Sequence, residues 1–207
     1  MTLSELQEIK EQELASRKKK VLRCCMAAGC ASQGSDELKA NLEQAVQDAG
    51  LEDEIEVRGV GCMRLCCEGP LTQLDPEEVL YQKVEPSDAK AIVAAIKDDT
   101  TADIQKGDPK HPFFTKQQSV VLGNSGDIDP ERIESYIAAD GYLALRHVLR
   151  EMESPEVVKE IMTSGLRGRG GGGYPVGLKW QAVAAASGDK KYIVCNADEG
   201  DPGAFMD

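Results

Sequence analysis

The sequence predicts an α/β chain in two parts. A small sheet-and-helix domain comes first, and a helical connector then leads into the start of a second, ligand-binding α/β domain. Three observations predict this. Over the first hundred residues, short apolar strand-like runs alternate with helical stripes. Six of the seven cysteines fall in two tight groups, Cys24, Cys25 and Cys30, then Cys62, Cys66 and Cys67. Glycines crowd into residues 165–177. A length of 207 residues suits one large domain or two small ones. The boundaries expected are 1–98 for the first domain, 99–163 for the connector and lead-in helices, and 164–207 for an incomplete second domain.

Each element has its own signal. Leu3, Leu6, Ile9 and Leu14 place an apolar stripe on a helix over 3–16. A strand over Val21–Arg23 ends at the first cysteines. Ser35 is the expected cap of a helix carrying Leu38, Leu42, Ala45 and Val46, with Asp36 and Glu37 in its first turn and Gly50 at its end. EIEVRGV reads as a strand and GCMRLCCEGP as a loop. Two further strands lie around Leu71–Leu74 and Val79–Val84, with Asp75-Pro76 turning between them. Ser87 is the expected cap of the helix DAKAIVAAIK. Residues 99–128 are polar and turn-rich. Asp129-Pro130 and Ser154-Pro155 each pair a capping residue with proline at the first helical position, and GYLALRHVLREM is a further helix between them. After the glycines come a helix over Leu178–Ala186, the strand KYIVCN and the acidic turn ADEGDPGAF.

Composition excludes several classes of function. At 41% apolar residues the chain is too hydrophobic for a disordered tail. No apolar run approaches the ~18 residues needed to span a bilayer, and the acidic amino terminus is no secretory signal. A formal charge of −12 opposes bulk nucleic-acid binding, because it repels phosphate. The expected location is the cytoplasm. An odd cysteine total without a signal argues against an extracellular disulfide framework.

Cys25 and Cys30 are separated by four residues, and Cys62 and Cys66 by three. Two short loops with two thiols each can converge on a metal centre. The readings are an iron–sulfur cluster, a structural zinc, a redox dithiol or simple packing. The Cys-x-x-Cys of a thioredoxin-like redox pair is absent, while zinc tolerates these spacings. Small residues around the thiols (Ala27, Ala28, Gly29, Ala31, Gly61 and Gly69) let backbone N–H groups approach bridging sulfides. Four cysteines split two and two suit a [2Fe–2S] centre.

CMAAGC and CMRLCCEGP, 31 residues apart, together resemble the thioredoxin-like [2Fe–2S] ferredoxin domain of respiratory NADH dehydrogenases. The resemblance implies Cys25, Cys30, Cys62 and Cys66 as cluster ligands. Cys24 and Cys67 are then extra thiols beside the ligands, and Arg64 either offsets cluster charge or is solvated.

GLRGRGGGGYPVGLKW contains Gly168-x-Gly170-x-x-Gly173, a formal dinucleotide fingerprint, but EVVKEIMTSG before it reads as a helix, whereas that fingerprint follows a strand. Successive glycine N–H groups can still face an anion, and Arg167, Arg169 and Lys179 can pair with phosphate. Asn196, Asp198, Glu199 and Asp201, at the end of a strand, can accept hydrogen bonds from ligand hydroxyls. A ligand with a phosphate end and a hydroxyl-rich middle, such as FMN or NAD(H), suits both pieces.

Loop and turn, with the lead-in segments HPFFTKQ and DIDPERIESYIAADGYLAL, resemble the FMN- and NADH-binding flavoprotein subunits of the same dehydrogenases. The resemblance implies that Gly168, Arg169, Gly170 and Gly171 form the FMN loop and that Lys179 reaches the flavin phosphate. It implies that Asn196, Asp198 and Glu199 contact FMN, with Glu199 near the nicotinamide. Tyr174 stands where the family commonly has phenylalanine and can stack on the adenine. Asp201 stands where glutamate is common, which leaves NADH contacts slightly rearranged.

Ferredoxin domain first and flavin domain second resembles the diaphorase subunits of bidirectional NAD-reducing hydrogenases. That resemblance implies an NADH:acceptor oxidoreductase passing electrons between NAD(H), FMN and iron–sulfur clusters. Its implied partners are other iron–sulfur diaphorase subunits and a hydrogenase module. The family continues further, so the chain is expected to be truncated, with a [4Fe–4S] cluster only in the missing carboxy-terminal region. Alternatives are the same flavoprotein in a formate dehydrogenase, an electron-bifurcating complex or an NADH-quinone oxidoreductase, or a ferredoxin-like carrier and docking fragment without flavin. Hydride transfer to flavin needs no side-chain acid or base, so no catalytic residue is named. His111 and His147 are expected at the surface.

Overall fold

The computed structural model describes residues 2–119 and 122–195. The chain divides into two compact units, residues 1–141 and 142–207.

In the first unit, helix α1 (Leu3–Ser16) opens with a capping box in which Thr2 and Glu5 satisfy each other's backbone N–H. Its inward stripe is Leu6, the half-buried Ile9 and Glu13, whereas Leu3 and Leu14 are exposed. The stripe is rotated from the purely apolar one because α6 (Ile133–Ala138) packs on this side, and Arg132 donates to the buried Glu13 carboxylate at 2.8 and 3.3 Å. Strand β1 (Lys20–Cys25) pairs in parallel with β2 (Ile55–Val60) and antiparallel with β3 (Thr72–Asp75). β4 (Val79–Tyr81) and a two-residue β5 (Lys106–Gly107) extend the sheet, giving the order β2-β1-β3-β4-β5. The short α2 (Ala28–Ala31) follows β1, α3 (Ser35–Asp48) crosses from β1 to β2, and α4 (Ala89–Lys97) packs beside α3. Leu22, Leu38, Leu42, Leu74, Tyr81 and Ile92 fill the core between this helix pair and the sheet. The Tyr81 hydroxyl accepts the Ala102 N–H at 3.2 Å, which fixes the chain leaving α4.

Several helix starts differ from expectation. Gly34, at φ 93°, is the N-cap of α3 in place of Ser35, whose hydroxyl is buried. Ser87 lies inside a 3-10 turn (Pro86–Asp88), and Glu85 and Asp88 form the capping box there. Asp129 does not cap a helix: its carboxylate accepts Glu131 N–H in a tight turn, and α6 begins three residues beyond Pro130. Within the connector, α5 (Pro112–Thr115) is capped by His111, whose Nδ1 accepts the Phe113 N–H.

The second unit holds α7 (Leu143–Glu151), α8 (Ser154–Ser164) and α9 (Val176–Ala185). Glu153, paired with Glu156, caps α8, so Ser154 is its first helical residue and not its cap. Gly165 ends α8 in the left-handed conformation. Gly177 is buried where α8 meets α9, and a Cβ there would fall 2.8 Å from Met162 Cα. Residues 191–195 form no strand: Tyr192, Ile193 and Val194 are exposed, with no neighbouring strand among the described residues. Residues 196–207, including the acidic turn, lie outside the described residues.

Candidate functional site

The two cysteine groups meet at one end of the sheet. β1 delivers Cys24 and Cys25 to opposite faces, because successive side chains of a strand alternate. Cys24 enters the main core beside Leu22, where burial pushes its thiol up to about 12. Cys25 joins a smaller cluster with Cys30, Leu71 and Leu80, against which Ala27, Met63, Leu65 and Phe114 pack. Cys30 comes from α2, and Cys62 and Cys66 from the loop after β2.

The four thiols interact as two pairs. A hydrogen bond from Cys30 lowers the Cys25 thiol to about 6 against the opposing effect of burial, and sharing that proton pushes Cys30 well above the ordinary thiol range. Burial raises the Cys62 thiol, which also shares a hydrogen bond with Cys66 and feels the charge of Cys25. Cys30 in turn feels Cys66, so the pairs are electrostatically linked. Backbone amides point at the sulfurs. Met63 and Ala27 donate to Cys25, Leu71 to Cys30, and Arg64 to Cys62 at 3.3 Å. These dipoles favour thiolate over thiol.

Two glycines leave space around the sulfurs. A Cβ at Gly29 would sit 3.3 Å from Cys66 Sγ, and one at Gly69 only 2.9 Å from Cys30 Sγ. Among the described residues no three His, Cys, Asp or Glu side chains gather as a single-ion site. Two thiol pairs, amides aimed at sulfur and glycine-lined space fit the donor set of a two-iron cluster. Cys67 is exposed, and the exposed Arg64 donates to the Ser119 hydroxyl.

In the second unit the glycine loop is closed by an antiparallel bridge between Arg167 and Pro175. Gly168 N–H donates to Tyr174 O at 2.8 Å, and the Arg167 guanidinium donates to Gly173 O at 2.9 Å. Gly171 and Gly173 have φ of 85° and 60°, which glycine adopts without penalty. Lys179 Nζ stands 5.8 Å from the centre of the Tyr174 ring and 3.8 Å from where a Cβ on Gly168 would lie. The loop therefore gathers Gly168, Tyr174 and Lys179, and Arg169, Gly170 and Gly171 form its exposed crest. Asn196, Asp198, Glu199 and Asp201 lie outside the described residues.

Residues 11–97 match the family model described as thioredoxin-like [2Fe–2S] ferredoxin, and residues 161–207 match that of the Nuo51 FMN-binding domain. The chain thus carries one stretch similar to each of these two domains. The NADP-reducing hydrogenase subunit HndC of Solidesulfovibrio fructosivorans is 53% identical over 44% of this chain and 18% of its own length. The NAD-reducing hydrogenase HoxS subunit alpha of Cupriavidus necator is 29% identical over 82% of this chain and 30% of its own. This chain thus spans less than a third of either relative. A thioredoxin-like [2Fe–2S] ferredoxin from Aquifex aeolicus superposes on 46% of this chain and 98% of its own, with 26% identity and a TM-score of 0.41. An NAD+-reducing [NiFe]-hydrogenase chain covers 99% of this chain with 35% of its own, at 16% identity and a TM-score of 0.40. Scores this low add nothing on the fold, which rests on the family matches and the sheet described above.

The ferredoxin domain's residues missed by sequence reasoning are backbone groups and supports. The amides of Met63, Ala27 and Leu71 carry no side-chain signature. Arg23 and Ser125, described below, sit in a strand and a polar turn with no marker of their role.

Proposed function

We propose that the chain is part of a diaphorase subunit that moves electrons between NAD(H), FMN and iron–sulfur clusters, within a complex that also contains a hydrogenase module and other iron–sulfur subunits. The observation that carries this is the convergence of Cys25, Cys30, Cys62 and Cys66, in one chain with an FMN-binding segment. The first domain, residues 1–98, would hold the cluster through those four thiols. Residues 99–163 would connect it to the flavin segment, residues 164–207.

FMN, when bound, accepts two electrons together and releases them singly, and the cluster accepts one at a time. The chain's own residues bind and orient. Amides at Met63, Ala27, Leu71 and Arg64 hold negative charge on sulfur. Gly168, Arg169, Gly170 and Gly171 would offer backbone N–H groups to the flavin phosphate, and Lys179 its ammonium. Tyr174 would offer a ring face to the adenine of NAD(H). Asn196, Asp198, Glu199 and Asp201 would accept from ribityl and ribose hydroxyls. We further propose a cytoplasmic setting; no described helix is long and apolar enough to cross a membrane.

The test is anaerobic reconstitution of the chain with iron, sulfide and FMN. Two irons and two sulfides per chain, with an electron paramagnetic resonance signal on one-electron reduction, are expected. Zinc in place of iron, or an iron-free folded protein, would end the electron-transfer reading. FMN retained on gel filtration and lost in Lys179→Ala supports the flavin segment.

A further inference from the structure

We propose that the connector turn 122–127 is a strap that positions the second cysteine loop, with Ser125 as its positioning residue and Arg23 as its anchor. This rests on the cluster reading above and extends it to residues outside the ligand set.

The contacts run in a chain toward sulfur. Ser125 Oγ donates to the Cys62 carbonyl at 2.9 Å. Gly126 is buried against the same loop: at φ 87°, a Cβ there would lie 3.3 Å from Cys62 O and 3.5 Å from Met63 Cα. The turn is braced by Ser125 N–H to Leu122 O at 3.1 Å and Asp127 N–H to Asn124 O at 3.2 Å. Arg23, its side chain only 16% exposed, ties the turn to the sheet. Its guanidinium donates to Gly126 O at 2.7 Å, to the Asp127 carboxylate, and to Asp75 at 2.5 and 3.3 Å. Arg23 stands two residues before Cys25 on β1, so one side chain links the strand of the first thiol pair to the strap over the second.

The strap touches no sulfur, but the segment it holds does. Met63 N–H donates to Cys25 and Arg64 N–H to Cys62. Arg64 keeps a left-handed φ of 68°, unusual for a residue with a side chain. A loop held only by its thiols could relax that angle and turn both amides away. The Cys62 carbonyl is the acceptor immediately before these two amides, and Ser125 pins it. Because a reduced cluster carries one more negative charge, amides aimed at sulfur stabilise the reduced form more than the oxidised one. Loosening the strap should therefore make the cluster harder to reduce.

Ser125→Ala and Ser125→Thr in the full chain test this. In the apo-protein, Ser125→Ala should raise amide exchange at residues 62–65 about fivefold, the factor one net hydrogen bond is worth. In the reconstituted protein it should lower the cluster's midpoint potential and change its resonance signature, while Ser125→Thr restores wild-type values. The urea midpoint of the apo-protein should fall by no more than that one hydrogen bond accounts for, which separates positioning from general destabilisation. Wild-type exchange together with an unchanged potential in Ser125→Ala would overturn the strap. Wild-type protein that takes up no iron and sulfide would overturn the cluster reading itself, and the strap's role in potential with it.

Discussion

At the scale of single residues, adjacent cysteines have opposite fates. Cys24 is sealed in the core with its thiol held protonated, Cys25 is drawn toward thiolate, and Cys67 is exposed beside Cys66. Cys30→Ser should abolish or severely lower iron and sulfide retention, whereas Cys67→Ser should retain both, as metal analysis of paired preparations will show. A second prediction concerns Lys20 and Glu77, whose charged groups lie 2.6 Å apart. Burial is the largest single influence on the Glu77 carboxylate and raises it, but the Lys20 hydrogen bond, a backbone hydrogen bond and the Lys20 charge together outweigh it and leave the group below its ordinary 4.5. The same hydrogen bond raises Lys20 above 10.5. A depressed carboxyl stabilises the fold above its unfolded pKa and loses that effect as pH falls through the folded one; a raised lysine stabilises below its unfolded pKa and loses it as pH rises through the folded one. The pair therefore contributes fully between the two ordinary values. Both side chains are partly solvated, so Glu77→Gln should cost less than ~1 kcal/mol at pH 7 by urea titration. That difference should fade in acid, below the ordinary carboxylate range.

At the scale of elements, close helix contact and buried charge decide more than propensity. α8 and α9 meet at Gly177, with Met162 backbone where a Cβ would go. Gly177→Ala should destabilise the second unit by about 1–3 kcal/mol through overpacking, seen as faster amide exchange in residues 154–185 with the first unit unchanged. On the other unit, Glu13 is 6% exposed and faces Arg132 of the connector. Arg132→Met leaves that carboxylate without its partner; because Arg132 is itself half exposed, the cost should be about 1–3 kcal/mol in thermal or urea unfolding. Glu13→Gln should cost less, because it removes the charge that needs compensation. Both effects belong to the α1–α6 pairing, two elements separated by more than a hundred residues.

At the scale of the whole molecule, the first unit reaches well past the ferredoxin family match. Residues 99–141 supply β5, the Ala102 amide for Tyr81, Phe114 against the cysteine cluster, the Ser125–Arg23 strap, and Arg132 for Glu13. A chain ending at Gly141 should fold and retain the same iron per chain as the 207-residue protein. One ending at Asp98 should unfold at lower urea, by about 3 kcal/mol or more, since it exposes apolar surface and orphans buried polar groups. Equal stability of the two would mean that the connector contributes nothing to the ferredoxin domain.

Local signals were legible where their cause is local. The stripe Leu38, Leu42, Ala45 and Val46 made α3 visible, as EIEVRGV did β2, and the spacing of Cys25, Cys30, Cys62 and Cys66 pointed to two converging loops. The strand KYIVCN looked equally clear, yet residues 191–195 form no ladder with any strand among the described residues, and a strand needs such a neighbour. Helix starts at Ser35, Ser87, Asp129 and Ser154 moved by up to a few residues: capping boxes at Glu85 and Glu153 took over two of them, while Gly34 and Arg132 start the other two without a side-chain cap bond. Sequence alone settled which residue types can hold a cluster or an anionic ligand, because that chemistry is carried by side chains. Tertiary structure decided which cysteine faces the core, which amides reach sulfur and that Ser125 holds Cys62, because strand pleat and distant packing, not neighbours in the chain, set those distances.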